Sequence, residues 1–307
     1  MNTYIGIDLG GTKIAGILVD SKHDTISEVT MGTDNRDETA VIDCVRSVID
    51  RLSTEKTCSS NHLTGIGIGI AGHVDFEKGT VIYCPNLPIE NLNLKAILQK
   101  AYNIPVFIEN DANAAAIGEK YFGQAAENGN FVCVTLGTGI GAGIFINGKL
   151  YRGSTCGAGE LGHMILDFSL DAPVCGCGNR GCFEALVSGT AIARMAETVF
   201  SKKNITAYDV AKMAQTGNLQ AIEIFNHAAR IIGIGFANIV NLFNPEKIIV
   251  SGSLAQAEDL FLKQAIKIMM KRTFSTNAKS VAVVKSSLGN RGGVLGAAAL
   301  AIQHCNR

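Results

Sequence analysis

Residues 4–20 read YIGIDLGGTKIAGILVD, and residues 131–147 read FVCVTLGTGIGAGIFIN. Each is an apolar, β-rich run, a glycine-rich turn and a second apolar run, the pattern of a tight hairpin. Laid over one another without a gap, at an offset of 127 residues, they match Leu9 with Leu136, Gly10 with Gly137, Gly16 with Gly143 and Ile17 with Ile144. A strand, a turn and a returning strand that occur twice predict two related lobes, each offering one turn to a ligand in a cleft between them. The competing reading is that any two apolar hairpins look alike.

The surrounding chain alternates strands and helices, which predicts an α/β class. Val41, Val45, Val48 and Leu52 recur at helical spacing over 37–52, and residues 94–102 also read as a helix. GIGIGIA (65–71) reads as a buried strand, as does VFIEN after Pro105. A helix is expected over 112–121, starting directly after Asp111. Residues 150–182 are irregular and rich in glycine and cysteine, and 188–243 are mostly helical up to the stop at Asn244-Pro245. KIIVS (247–251) and VAVV (281–284) read as strands with a helix between them, and a terminal helix starts near Gly292.

Composition narrows the function classes. Of 307 residues, 47% are apolar and 18% charged, enough to bury a large core and too apolar for global disorder. The formal net charge is zero and Lys and Arg form no run, which argues against nucleic acid or an anionic membrane as the main partner. The start, MNTYIGIDLGG, has neither a basic nor an apolar leader region, and no apolar stretch reaches spanning length, so a cytoplasmic protein is expected. Among nine cysteines, Cys44, Cys58, Cys84, Cys133, Cys156 and Cys305 are scattered, which reads as reduced thiols.

Three groups of residues carry chemistry. Phosphate oxygens need backbone N–H groups with little side-chain bulk around them, and Gly10-Gly11-Thr12 and Gly137-Thr138-Gly139 supply that twice. Asp8, at the end of the first strand, is placed to hold a hydrated Mg²⁺, and Lys13 adds positive charge. His163 with Cys175, Cys177 and Cys182 completes a Cys₃His set for a structural zinc that would staple the 155–185 segment. Asp111 lies in IENDAN (108–113) where a strand passes into a helix; it is either a general base for a hydroxyl group or the helix N-cap, with Asn110 beside it able to hydrogen-bond a hydroxyl.

The sequence resembles the ROK family of sugar kinases and repressors, from DLGGTK (8–13) to RGGVLGAA (291–298). ENDANAAA (109–116), LGTGIGAG (136–143), GELGH (159–163) and the C-x-C-G-x-x-G-C-x-E stretch (175–184) carry the resemblance in order. It implies a two-lobed actin-like (ribonuclease H-like) ATPase fold with the active site in the interlobe cleft. The small lobe would be residues 1–111 plus about 292–307, and the large lobe 112–291. It further implies an ATP-dependent kinase of a free hexose, glucose first and at the 6-hydroxyl, with Asp111 as base. Allose, mannose, fructose, N-acetylglucosamine and N-acetylmannosamine remain open as substrates, and polyphosphate as donor.

The resemblance assigns Gly72, Asn86, Asn110, Glu160, His163 and Glu184 to the sugar, with His163 ligating zinc through its other ring nitrogen. Gly10 to Lys13 and Thr138-Gly139 would cradle the ATP phosphates, and Gly252, after strand 247–251, would approach the adenosine. Ser251-Gly252-Ser253 stands where three glycines are common, so Ser253 either crowds the nucleotide or hydrogen-bonds it; His73 stands where proline is frequent. A homodimer is implied. A DNA-binding repressor is disfavoured because seven residues precede Asp8, and a chaperone-like ATPase because it has no use for GELGH beside the cysteine cluster.

Overall fold

The computed structural model describes residues 2–54 and 62–305, so Cys58 lies outside the described residues. In chain order the strands are β1 (Asn2–Leu9), β2 (Lys13–Asp20), β3 (Thr25–Gly32), β4 (His62–Ile70), β5 (His73–Asp75), β6 (Thr80–Tyr83), β7 (Glu90–Leu92), β8 (Val106–Asn110), β9 (Phe131–Leu136), β10 (Ile140–Ile146), β11 (Lys149–Leu150), β12 (Lys247–Ser251) and β13 (Ala282–Lys285). The helices are α1 (Glu38–Ser53), α2 (Leu94–Tyr102), α3 (Asp111–Phe122), α4 (Phe183–Val187), α5 (Gly189–Phe200), α6 (Ala207–Gln215), α7 (Leu219–Phe243), α8 (Leu262–Arg272), α9 (Ser275–Ala278) and α10 (Gly292–Cys305).

The chain forms two compact units. The first is Met1–Glu127 with Leu150–Ala158 and Asn290–Arg307; the second is Asn128–Lys149 with Gly159–Gly289. The first unit thus takes in α3 and the 150–158 segment, which the expected boundaries assign to the large lobe. For α3 the reason is a glycine contact. A Cβ on Gly296 of α10 would stand 1.6 Å from the Ala114 carbonyl oxygen, and one on Gly118 of α3 would stand 2.5 Å from that of Gly292. The two helices therefore pack backbone to backbone.

The main sheet of the first unit runs β3-β2-β1-β4-β8, with β1, β4 and β8 parallel. Its glycines explain how helices approach it so closely. In β4, a Cβ on Gly67 would meet the Ala297 carbonyl oxygen at 1.9 Å, and Gly69 faces Ala114 of α3. Gly6, the β1 partner of Gly67, faces α10 in the same way. Ile66, Ile68 and Ile70 alternate with these glycines and lie fully buried in the core with Val45, Val48 and Leu98. GIGIGI is thus a period-two strand whose glycine side receives helix backbones. A second, three-stranded sheet, β5-β6-β7, lies in the same unit.

The second unit has the sheet β11-β10-β9-β12-β13, with β9, β12 and β13 parallel, and a core that includes Phe183, Phe225 and Phe236. Both predicted hairpins form, but the gapless repeat does not hold. Leu9 pairs with Ile14, whereas Leu136 pairs with Ile140. The second turn is one residue shorter, so the counterpart of Ile17, which faces Gly6, is Gly143, which faces Cys133, and not Ile144. Side chains beyond the turn slip by one position, as strand geometry requires.

Candidate active site and metal cluster

Parallel strands that end together leave their binding groups at the carboxyl edge of a sheet. In the first unit Asp8, Gly72 and Asn110-Asp111 stand at or just past the carboxyl ends of β1, β4 and β8, where Asp8 is in register with Gly69 and Ile70 with Asn110. The first glycine turn lies there too. A Cβ on Gly11 would meet the Asn86 backbone oxygen at 2.7 Å, which places that turn against the 85–88 loop. Thr33 secures it by donating its N–H to the Thr12 carbonyl and its hydroxyl to that of Gly10. Glycine at 72 is required by a close approach as well, since a Cβ would stand 2.4 Å from the Tyr83 carbonyl oxygen.

The cap of α3 differs from the expectation. Asn110, not Asp111, is the N-cap: its Oδ1 accepts from the N–H groups of Ala112 (2.9 Å) and Asn113 (3.1 Å). Its Nδ2 donates to the Gly72 carbonyl and to Asp111 Oδ1, both at 3.1 Å. The amide is therefore committed on both sides, to holding the loop and the helix start in place. Asp111 is the first helical residue, half-buried, and its Oδ1 also accepts from Ala112 N–H.

Asp8 points at the start of α10, where a Cβ on Gly293 would stand 3.0 Å from its carboxylate. Burial and the negative charge of Asp111 push Asp8 up to about 6, against a smaller opposing pull from Lys13. Two carboxylates thus share the carboxyl edge of one sheet, close enough to feel each other.

In the second unit the turn Gly137-Thr138-Gly139 is braced from behind. Gly189 N–H donates to the Gly137 carbonyl at 2.8 Å and the Thr190 hydroxyl to that of Thr138 at 2.9 Å. Glu184 Oε2 accepts from Ile140 N–H at 2.8 Å, so this carboxylate supports the turn. Gly252 has φ 90° and packs on the Leu136 carbonyl, and Ser253 Oγ lies 3.7 Å from where a Cβ on Gly137 would be. Gly252 and Ser253 thus flank the second turn. The N–H groups of Gly11, Thr12, Thr138 and Gly139 have no acceptor among the described residues, which leaves each turn with unspent donors.

The Cys₃His set comes together. The ligand atoms of His163, Cys175, Cys177 and Cys182 all lie within 4.8 Å of one another. Cys175 Sγ is 3.6 Å from His163 Nδ1, and Cys177 Sγ is 3.7 Å from Cys182 Sγ. Metal–sulfur bonds of about 2.3 Å in a tetrahedron give edges of about 3.7 Å, so the donor set and its spacing fit a thiophilic ion. His163 Nε2 points the other way, 3.8 Å from Glu160 Oε2. Around the cluster, Cys175 N–H bonds the Asn179 carbonyl, and short bridges join Ile165 with Cys182 and Val174 with Arg180.

A buried ion pair lies beside Asn110 and joins residues far apart in sequence. Glu109 is 2% exposed, and Arg152, 43 residues away, binds it. Glu109 opens the ENDANAAA stretch, but its role there is not legible from the motif, and nothing in the sequence marks Arg152. No helix among the described residues is long and apolar enough to cross a membrane.

Comparison with known proteins agrees with this geometry. The ROK family model matches residues 4–304. The xylose repressor of Bacillus subtilis is 34% identical over 300 residues, spanning 98% of this chain and 77% of the repressor. The glucokinase of Streptomyces coelicolor is 34% identical over 318 residues, spanning 98% of each. A solved ROK family glucokinase from Streptomyces griseus, in complex with glucose and AMPPNP, superposes with a TM-score of 0.85 at 32% identity, over 98% of this chain and 99% of that one.

Proposed function

The chain belongs to the ROK family, with its two-lobed actin-like ATPase fold, and from that premise we propose that it is an ATP-dependent sugar kinase. Its substrate is a free hexose, with glucose phosphorylated at the 6-hydroxyl as the first choice. The observation that carries this reading is the pair Asp8 and Asp111 beside a glycine turn with free amides. A hydroxyl that attacks a γ-phosphate must lose its proton, and a half-buried carboxylate at a helix start is a suitable acceptor.

In the proposed reaction Asp111 takes the proton of the sugar hydroxyl as that oxygen bonds to the γ-phosphorus. The bond from phosphorus to the bridging oxygen breaks, and its electron pair leaves with ADP. Gly10 to Lys13 and Thr138-Gly139 would hold the phosphates with backbone N–H groups, and Gly252 would lie along the adenosine. A magnesium ion beside Asp8 would supply neutralisation of the phosphate charge. Gly72, Asn86, Glu160 and His163 Nε2 are assigned to the sugar hydroxyls. Asn110 and Glu184 are assigned to the sugar hydroxyls as well, held in place by their bonds to the α3 start and the second turn. Zinc is the metal proposed for the cysteine cluster; by fixing Nδ1 of His163 it would aim Nε2. The setting is proposed to be the cytoplasm and the working assembly a homodimer, which sedimentation tests.

Another reading has specific support: the similarity to a xylose repressor spans 98% of this chain. A coupled assay of ADP release with Mg·ATP and a panel of free hexoses and N-acetylhexosamines separates the two. One sugar raising turnover well above the blank establishes the kinase and its substrate. A flat panel, together with sugar-sensitive binding to DNA, would replace it with a sensor.

A further inference from the structure

A buried ion pair stands next to Asp111. Arg152 donates to Glu109 Oε2 through Nε at 2.7 Å and places a terminal nitrogen 2.6 Å from the same oxygen. Its guanidinium lies 3.9 Å from the centroid of the Phe76 ring, which fixes the plane of the group. The other oxygen, Oε1, accepts from Asn110 N–H and from Asn113 Nδ2, each at 3.0 Å. Asn110 in turn caps α3 and bonds Asp111 Oδ1. Glu109 therefore grips the residue before Asp111 and the residue two after it.

A buried carboxylate keeps its charge and its position only while a cation and hydrogen-bond donors satisfy it. Without Arg152, Glu109 Oε2 would lose its cation and its donors, the side chain would turn toward water, and Oε1 would let go of one or both asparagines. The start of α3 would shift, and Asp111 with it. Misplacing a proton acceptor by about 1 Å is enough to cost two orders of magnitude in rate.

We propose that Arg152 is a positioning residue that sets the orientation of Asp111 through the buried Glu109. This rests on the reading of Asp111 as the proton acceptor. The segment that carries Arg152 is built for the task. Residues 150–158 belong to the first unit, and His73 Nε2 holds the Thr155 carbonyl at 2.7 Å. Ala158 N–H closes the loop on the Arg152 carbonyl, and Gly153 and Cys156 take left-handed φ values of 72° and 60°.

The test compares the wild-type protein with Arg152→Met, Arg152→Lys and the double variant Glu109→Gln/Arg152→Met. With the sugar that supports turnover, Arg152→Met is expected to lower kcat about 10–100-fold while the sugar KM changes less than about threefold. The double variant should recover most of the loss, because a glutamine carbonyl in place of the carboxylate still accepts from both asparagines and leaves no unpaired charge. Arg152→Lys keeps the charge and should lose less than Arg152→Met, so it serves if the methionine variant does not fold. Wild-type kcat in Arg152→Met, a loss confined to KM, or a double variant no better than the single one would overturn the proposal. If the wild-type protein phosphorylates no sugar, the kinase reading fails by itself. The positioning is then read by hydrogen exchange: Arg152→Met should speed exchange at residues 109–116 and leave 131–146 unchanged, and equal exchange would overturn it.

Discussion

Asp111 is the residue on which the proposed chemistry turns, and its surroundings make a clean test possible. The N-cap of α3 is Asn110, so replacing Asp111 leaves the helix start capped. Asp111→Asn should therefore melt near the wild-type temperature while kcat falls by about 10²–10⁴-fold, measured as sugar-dependent ADP release. Near-normal turnover in the folded variant would remove Asp111 from the role. Asp8 gives a test by pH. Its carboxyl is pushed up to about 6 by burial and by Asp111, above its ordinary value of 3.8. A raised acid favours the folded state while protonated, so its contribution is fully present below about pH 4 and is lost as pH rises through about 6. Without magnesium or nucleotide, the wild-type protein should lose up to about 3 kcal/mol relative to Asp8→Asn between those limits. Parallel stability–pH curves for the two proteins would show that Asp8 is not the group that titrates.

Elements that advertise themselves in sequence do so by period or by punctuation. Val41, Val45, Val48 and Leu52 repeat at helical spacing and become buried residues of α1, and α7 ends at the Asn244-Pro245 stop, with Asn244 as its left-handed C-cap. β3 carries no such signal because TISEVTMG is an edge strand with mixed burial, and β5 to β7 carry none because they are three or four residues each. The slip in the second hairpin is hidden for a different reason. Glycines and apolar residues are dense enough on both strands that a shift of one position still finds matches. The contact of α3 with α10 depends on glycines that carry no periodic signal of their own. It yields a prediction at this scale. Gly296→Ala would force a Cβ to within 1.6 Å of the Ala114 carbonyl oxygen, so α3 or α10 must move. Chemical denaturation should show a loss of about 3 kcal/mol. Gly32→Ala, with nothing within 4 Å and no left-handed φ, should stay within about 0.5 kcal/mol. Equal effects at the two sites would mean that α10 has room to shift.

At the scale of the whole chain, what is legible is what lies close in sequence. Cys175, Cys177 and Cys182 share eight residues with His163 shortly before, so the cluster can be read from spacing. Arg152 meets Glu109 across 43 residues, a pairing that only the folded first unit creates. The two units have separate apolar cores, one built on β1, β4, α1 and α2 and the other on β9, β12 and α5 to α8. Metal at the cluster should therefore support one unit and not the other. The segment from Leu161 to Cys182 has one 3-10 turn and two isolated bridges, little regular structure to hold it without an ion. Removing metal with a chelator should lower the melting temperature of the transition that carries the second unit by at least about 5 °C. The first unit, followed by hydrogen exchange in β1 and β4, should keep its stability. Cys182→Ser should reproduce the chelated protein, since the buried thiol is central to the set. Superimposable melting curves with and without chelator, on protein shown by elemental analysis to have lost its metal, would mean that the four ligands pack as ordinary side chains. The orientation of His163 Nε2 would then need another source.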